Sequence, residues 1–362
     1  MLVLPIQDFP DTRANGSEIN RQLRPKMRRT FTLAKSWAEA YRKSDPSHAW
    51  DLQMLVTLTS ILPIFLIIAL GLALRKGGIP STEFWNVNDK LVYWVLMPCL
   101  MFNKVSLAEL NNPNLIPYAI TLITGFFVAV AFGVTIAWMN GFKAAQGTSI
   151  LQGCARNNAF VALALSASLY GPSGFEYAIL ASAILIPVTN VVMVVLLVMA
   201  LQPGKRSNLP LAILRDLIRN PHIISITLAL AVNQLIGTEI PVLHELTRIL
   251  GLSALPITLL AVGANLRVKD MAASASALFF SFVGKMMIFP ATVLALGLMF
   301  SLPPTLLIIA VIYAMSPTAA SSYTLARQLG GDAPMMAAIV TLQTLAAVAT
   351  IPLTLYLLEW VV

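Results

Sequence analysis

Apolar runs close to the roughly 20 residues needed to cross a bilayer recur from Met54 to the end of the chain, separated by short polar turns. They predict ten membrane spans, over residues 54–74, 86–107, 115–139, 147–170, 175–201, 221–237, 250–267, 274–300, 304–327 and 333–360. The longest polar interruption, QPGKRSNLPLAILRDLIRN, separates the fifth span from the sixth. Prolines stand inside or at the edges of many spans: Pro63, Pro98, Pro187, Pro221, Pro256, Pro290, Pro317 and Pro352. At such places neighbouring helices or water have to satisfy the freed backbone groups. The pattern is most disturbed in QGCARNNAFVALALSASLYGPSG, residues 152–174, which reads as a span yet carries Arg156, Asn157 and Asn158 in a row.

The spans also repeat. Pro63 and Pro221, each expected to open a span, lie 158 residues apart (221 − 63). Pro98 in LMPCL and Pro256 in ALPIT share that separation (256 − 98), and Gly125 and Gly284 differ by 159 (284 − 125). LYGPSGFEYAIL at 169–180 aligns without a gap on QLGGDAPMMAAI at 328–339, again at 159 (328 − 169). A recurring offset predicts a duplicated unit: a first five-helix repeat at 54–201, a cytoplasmic linker at 202–220 and a second repeat at 221–362. An odd number of spans per copy sets the copies in opposite orientations, a hallmark of secondary transporters. The expected fold is therefore an all-α polytopic membrane protein with ten transmembrane helices as two inverted five-helix repeats.

Composition agrees. Hydrophobic residues make up 57% of the chain and charged residues 11%, where soluble domains carry about 25% charged. The net charge of +8 does not point to nucleic acid, because no basic stripe is interleaved with aromatics. Cys99 and Cys154 lie in apolar stretches and read as small buried residues. His48, His222 and His244 have no ligand spacing, so neither a metal nor a cofactor is implied. No Walker-type phosphate loop appears, and no nucleophile has a base beside it, so the chain does not read as an ATP-driven pump or an enzyme.

Residues 1–53 form a basic N-terminal extension with Arg13, Arg21, Arg24, Lys26, Arg28, Arg29, Lys35, Arg42 and Lys43. It is expected to be disordered, with a short surface helix over 30–42 as an option. It reads either as a product of start-site choice, with translation beginning at Met54, or as a tail that touches anionic lipid. With the start of span one and the C-terminus outside, the inward loops carry Arg75, Lys76, Lys90, Lys143, Lys205, Arg206, Arg215, Arg219, Arg267, Lys269 and Arg327. The outward loops then carry only Lys104 and Arg248. That is a clear positive-inside bias, and the basic extension sits on the wrong side of it.

Charged side chains at membrane depth are costly and usually mark function. Arg156 could pair with an anionic substrate, since guanidinium keeps its charge and grips a carboxylate two-pronged; the plain alternative is an arginine snorkelling to the inner surface. Asn157 and Asn158 follow on different faces, so one faces the cavity and the other packs. In span nine, Ser316, Thr318, Ser321 and Ser322 flank Pro317, which frees a carbonyl one turn earlier. These hydroxyls could bind a substrate or cation, or merely allow close packing. Lys285 in span eight is a substrate partner, a fixed counter-charge or a snorkelling side chain. Asn190, Asn265 and Gln343 are polar residues in apolar spans. Glu176, Glu239, Asp332 and Glu359 map to span ends, so no relay of buried acids is visible.

The stretches QGCARNNAFVALA, LYGPSG, IPVTNVV, MSPTAASSYTLARQLGGD and TLQTLAAVATIPL resemble the auxin efflux carrier family, in its bacterial branch, from about residue 54 to the end. The resemblance implies a scaffold and a transport domain, with crossing discontinuous helices at spans four and nine as in bile-acid and sodium/proton transporters. It places Arg156, Asn157, Asn158 and Pro317 at the crossing. Many relatives carry an N-x-x-F-x-G-x-P pattern in span four; here Ala162 and Ala164 replace its glycine and proline, so any break must rely on Asn157 and Asn158. The expected function is a secondary transporter or facilitator of a small organic anion in the bacterial inner membrane, working by alternating access. Sodium or a proton is the candidate coupling ion, and a homodimer the candidate assembly. The alternative is a membrane sensor for a small organic acid.

Overall fold

Apolar runs become helices here, and polar interruptions, glycines and prolines decide where each one ends. The computed structural model describes residues 46–202, 217–267, 275–358 and 360–361, and the regular structure among them is all helical. The chain divides into two units, Met1–Val56 and Thr57–Val362. The expectations for 1–45, for most of the linker (203–216), and for Lys205, Arg206, Arg215, Lys269 and Glu359 fall outside the described residues.

In chain order the helices are α1 (Pro46–Lys76), α2 (Thr82–Leu91), α3 (Met97–Val105), α4 (Leu115–Met139), α5 (Ala144–Ala155) and α6 (Ala159–Leu201). They continue with α7 (Pro221–Leu235), α8 (Pro241–Ala264), α9 (Ala275–Val283), α10 (Phe289–Met299), α11 (Pro304–Met315), α12 (Ser321–Leu329) and α13 (Ala333–Leu358). Among the described residues, six stretches are long and apolar enough to cross a membrane: Thr57–Lys76, Leu115–Met139, Ala144–Leu201, Pro241–Ala264, Ala275–Met299 and Ala333–Leu358. Pro221–Leu235 and Pro304–Met315 are apolar but shorter. The described residues thus form an all-helical fold, consistent with a polytopic membrane protein.

Two π turns, Val92–Leu96 between α2 and α3 and Gly284–Ile288 between α9 and α10, each precede a proline, Pro98 or Pro290, at the second residue of the next helix. Proline has no N–H and crowds the carbonyl a turn back; a π turn just upstream is one way a helix absorbs that disturbance. At Gly171 (φ 61°, ψ −147°) the backbone of α6 leaves helical geometry, separating 159–170 from 172–201. A side chain at Gly174 would strike the Ser166 carbonyl, so the reversal is tight. Gly330 (φ 85°) closes α12 in the left-handed conformation, with Gly331 N–H bonded to Ala326 C=O at 2.8 Å.

Three expectations change. Pro63 does not open a span as Pro221 does: it lies inside α1, whereas Pro221 is the first residue of α7, where a missing N–H costs nothing. The helix expected over 250–267 begins at Pro241; its first turns hold His244, Glu245, Thr247 and Arg248, which lower the hydropathy without disturbing the helix. The first helix extends back past Met54 to Pro46.

A large core joins Tyr118, Leu122 and Phe126 of α4, Val161 and Leu165 of α6, Phe289 and Val293 of α10, and Ile312 to Met315 of α11. A second cluster joins α3 to Ile226 and Ala229 of α7 and Ala254 of α8. There Asn103 Nδ2 donates to His244 C=O at 2.8 Å and Ser106 Oγ lies 2.9 Å from His244 Nε2. α1 and α8 approach through glycines, Gly71 against the Leu260 carbonyl and Gly263 against the Ile68 carbonyl. Small residues let membrane helices meet backbone to backbone. Gly263→Leu should therefore separate them and cost about 1–3 kcal/mol, read as a lower thermal unfolding midpoint of the detergent-solubilised protein.

Candidate functional site

α5 stops at Ala155 because Arg156 turns extended (φ −76°, ψ 137°), its N–H still bonded to Gln152 C=O. Asn158, also extended, then starts α6: its Oδ1 accepts from Phe160 N–H at 3.2 Å and Val161 N–H at 3.3 Å. This is the N-cap geometry that asparagine favours. The break lies upstream of Ala162 and Ala164 and needs neither the glycine nor the proline of the relatives' pattern. α11 stops for a different reason. Ser316 (φ −58°, ψ 138°) precedes Pro317, whose ring disfavours helical geometry in the residue before it.

The two breaks cross. Asn158 N–H donates to Pro317 C=O at 2.8 Å, so an unpaired donor at one helix start meets an acceptor freed at the other break. Gln343 of α13 secures the rest. Its Oε1 accepts from Thr318 N–H at 3.0 Å and lies 2.7 Å from Thr318 Oγ1, while its Nε2 donates to Gly153 C=O at 2.9 Å and Ser281 C=O at 3.1 Å. Thr318 Oγ1 also lies 3.0 Å from Gly153 C=O, a second choice for its one proton. Gln343 serves as a side-chain peptide group, fully satisfied and fully buried.

Arg156 is buried and loosely held. Nη1 lies 3.5 Å from Gln152 Oε1, and Nη2 lies 3.4 Å from Asn190 Oδ1 and 3.3 Å from Ser321 Oγ. Relaxed N–H···O bonds run near 2.9 Å. All three partners are neutral, and among the described residues no carboxylate pairs with this guanidinium. Gln152 Nε2, buried beside it, has no hydrogen-bond partner. A bare buried charge is expensive, so this geometry suits an anion that is not part of the protein.

On the other side of the extended segment, Lys285 in the π turn Gly284–Ile288 donates to Asn157 Oδ1. Its Nζ lies 4.9 Å from the Phe289 ring centre. Among the described residues Arg156 and Lys285 share no hydrogen-bonding partner, as expected if Arg156 and Asn157, neighbours in an extended segment, send their side chains to opposite faces.

The structure therefore gathers Arg156, Asn157, Asn158, Asn190, Lys285, Pro317, Thr318, Ser321 and Gln343 at or against the crossing. Ser316 turns its hydroxyl back to Tyr313 C=O at 2.8 Å, and Ser322 Oγ is buried without a partner. Asn265, at the end of α8, donates instead to Asp89 Oδ2 at 3.1 Å. Of the two adjacent asparagines, Asn158 caps and packs while Asn157 meets the lysine. Gln152 was missed, although its place four residues before Arg156 puts both on one helix face. The part of Ser281, which lends only a backbone carbonyl, leaves no trace in sequence.

A family model described as "Membrane transport protein" matches residues 56–356, both arms of the crossing included. A comparison with curated proteins gives no match.

The role given to Gln343 can be checked directly. Gln343→Leu would take this partner from Thr318 N–H and the Ser281 carbonyl, while the Gly153 carbonyl keeps Thr318 Oγ1, at about 1–3 kcal/mol for each group stranded. The expected result is a strongly lowered unfolding midpoint, beyond that of Asn158→Ala, which removes one cap worth about 1 kcal/mol.

Proposed function

The chain belongs to the membrane transport protein family of the auxin efflux carriers, and on that premise we propose that it is a secondary transporter or facilitator of a small organic anion in the bacterial inner membrane, working by alternating access. The observation that carries the anion is the buried Arg156 guanidinium, held at 3.3–3.5 Å by neutral oxygens, with no carboxylate against it among the described residues. A carboxylate entering beside Gln152, Asn190 and Ser321 would take two parallel charge-assisted bonds from the guanidinium. The unpartnered Gln152 Nε2 offers a further donor. Fold membership does not name a substrate, so the anion class rests on this side-chain chemistry.

The proposal includes ten spans in two inverted five-helix repeats. Supporting it, α5 and α11 each have 12 residues. The extended residues that end them, Arg156 and Ser316, are 160 apart (316 − 156). The positive-φ glycines Gly171 and Gly330 are 159 apart (330 − 171). The charges of the short loops favour the start of span one and the C-terminus outside. Transport would carry the crossing from one face to the other as one bundle moves against its neighbour.

The test is carboxylate flux in proteoliposomes and binding to the purified protein, with a panel of mono- and dicarboxylates that includes lactate and succinate. Arg156→Gln should weaken binding by about 2–5 kcal/mol, roughly thirtyfold or more in Kd, and abolish flux in protein that remains folded. Arg156→Lys keeps the charge but not the two-pronged geometry and should stay impaired. Normal affinity and flux in Arg156→Gln would refute the assignment.

A further inference from the structure

The Lys285 side chain is fully buried, and the groups it touches are neutral. Asn157 Oδ1 accepts its hydrogen bond, the Phe289 ring lies 4.9 Å away, and the Cys154 side chain packs against Gly284 at the start of the same turn. The turn is packed against α4, α5 and α11 as well as its own flanking helices. The ionisable side chains on these elements are Tyr118 of α4, Cys154 of α5, with Arg156 just beyond it, and Tyr313 of α11. None is a carboxylate. An ammonium brings three N–H donors and no acceptor, and among the described residues this site gives it one oxygen and a ring face. Among the described residues the protein therefore builds a place for an amine at the crossing without building in its counter-charge.

The neighbouring residue shows where a counter-charge could come from. Asn157 follows Arg156 directly in the extended segment, so an anion against Arg156 sits across a single backbone strand from the amine that Asn157 holds. In a dry interior, charges so placed act on one another far more strongly than in water. A carboxylate bound to Arg156 makes a proton on Lys285 less costly, and by reciprocity a proton on Lys285 tightens the carboxylate.

We propose that Lys285 is the coupling site of the transporter: binding of the carboxylate at the crossing is accompanied by uptake of a proton from solution onto the Lys285 amine, and anion and proton cross together. The proposal rests on the reading of Arg156 as the carboxylate ligand. The balance is simple. The nitrogen lone pair of Lys285 takes one solvent proton, the carboxylate stays ionised and forms no covalent bond, and both are released on the far side. For a monocarboxylate such as lactate one negative and one positive charge move, so the transfer is electroneutral; a dicarboxylate such as succinate carries one net negative charge across with its proton. Asn157 positions the ammonium by accepting one of its three hydrogens.

The experiment is isothermal calorimetry on the purified full-length protein with lactate and succinate as probes. Each is titrated in buffer pairs of different ionisation enthalpy across the neutral and alkaline range. In the wild type the heats should differ between buffers by about one proton taken up per anion bound, and affinity should fall as pH rises. Lys285→Gln should still bind the anion but with no proton uptake and no dependence on pH. Anion binding without proton uptake in the wild type overturns the proposal, whether or not the variant folds. Uptake that persists in Lys285→Gln overturns it as well, since the proton would then sit elsewhere. Binding of neither probe instead removes the anion reading of Arg156, and this proposal with it.

Discussion

A peptide group inside a membrane has no water to turn to, and the site depends on how two interrupted helices answer that constraint. Each break strands donors and acceptors that would be paired in a continuous helix. The bond from Asn158 N–H to Pro317 C=O, 2.8 Å long, lets the breaks satisfy one another. Irregular backbone is tolerated at such depth where protein buries it or a cavity adjoins it. The crossing is therefore not two weak points that happen to touch. Each supplies what the other lacks, and moving them apart would leave both unpaired unless water entered.

The breaks are made differently, and that difference bears on their chemistry. At Pro317 the covalent ring imposes the interruption. At Arg156–Asn158 nothing covalent does so; the conformation is held by the Asn158 cap, the Pro317 carbonyl and Gln343. Dispensing with proline leaves three consecutive side chains free for other duties, and they take them in alternate directions: Arg156 toward Asn190 and Ser321, Asn157 toward Lys285, Asn158 back onto α6. Gln343 makes this possible from a distance, by standing in for a peptide group between Thr318, Gly153 and Ser281.

Much of this could be read in the sequence, because the signals were of the right kind. Hydropathy located helices such as Leu115–Met139 to the residue, since transfer to an apolar medium is what hydropathy measures. It misjudged the start of α8, where polar residues occupy helical turns at Pro241–Arg248, and it could not see that Pro63 is carried inside a helix. The polar residues that meet at the crossing stood out as misplaced, whereas Asn265 looked equally misplaced and belongs to a bond with Asp89. Proline announces a break from one residue. A cap-driven break depends on what faces it from α11 and α13, and that contact is not written locally. The π turns before Pro98 and Pro290 escaped for a similar reason: the proline is visible, but whether a helix kinks, unwinds or widens around it is decided by packing.

The buried Arg156 guanidinium remains to be explained. Unpaired charge in a low-dielectric interior is strongly unfavourable, and proteins normally relieve it with a carboxylate of their own. Such a carboxylate would occupy Arg156 permanently and compete with any anion from outside. The loose neutral contacts at 3.3–3.5 Å do something else. They hold the guanidinium in place without satisfying it, so on the proposed reading an incoming carboxylate would gain nearly the whole interaction and displace only weak bonds. The energy for that state is drawn from the rest of the crossing, where each backbone group with a partner secures the three-residue segment that presents the charge. A site that releases an anion on either side, as proposed, would benefit from this arrangement, because the backbone that positions Arg156 is held by Asn158, Pro317 and Gln343 and would not have to be rebuilt each time an anion left.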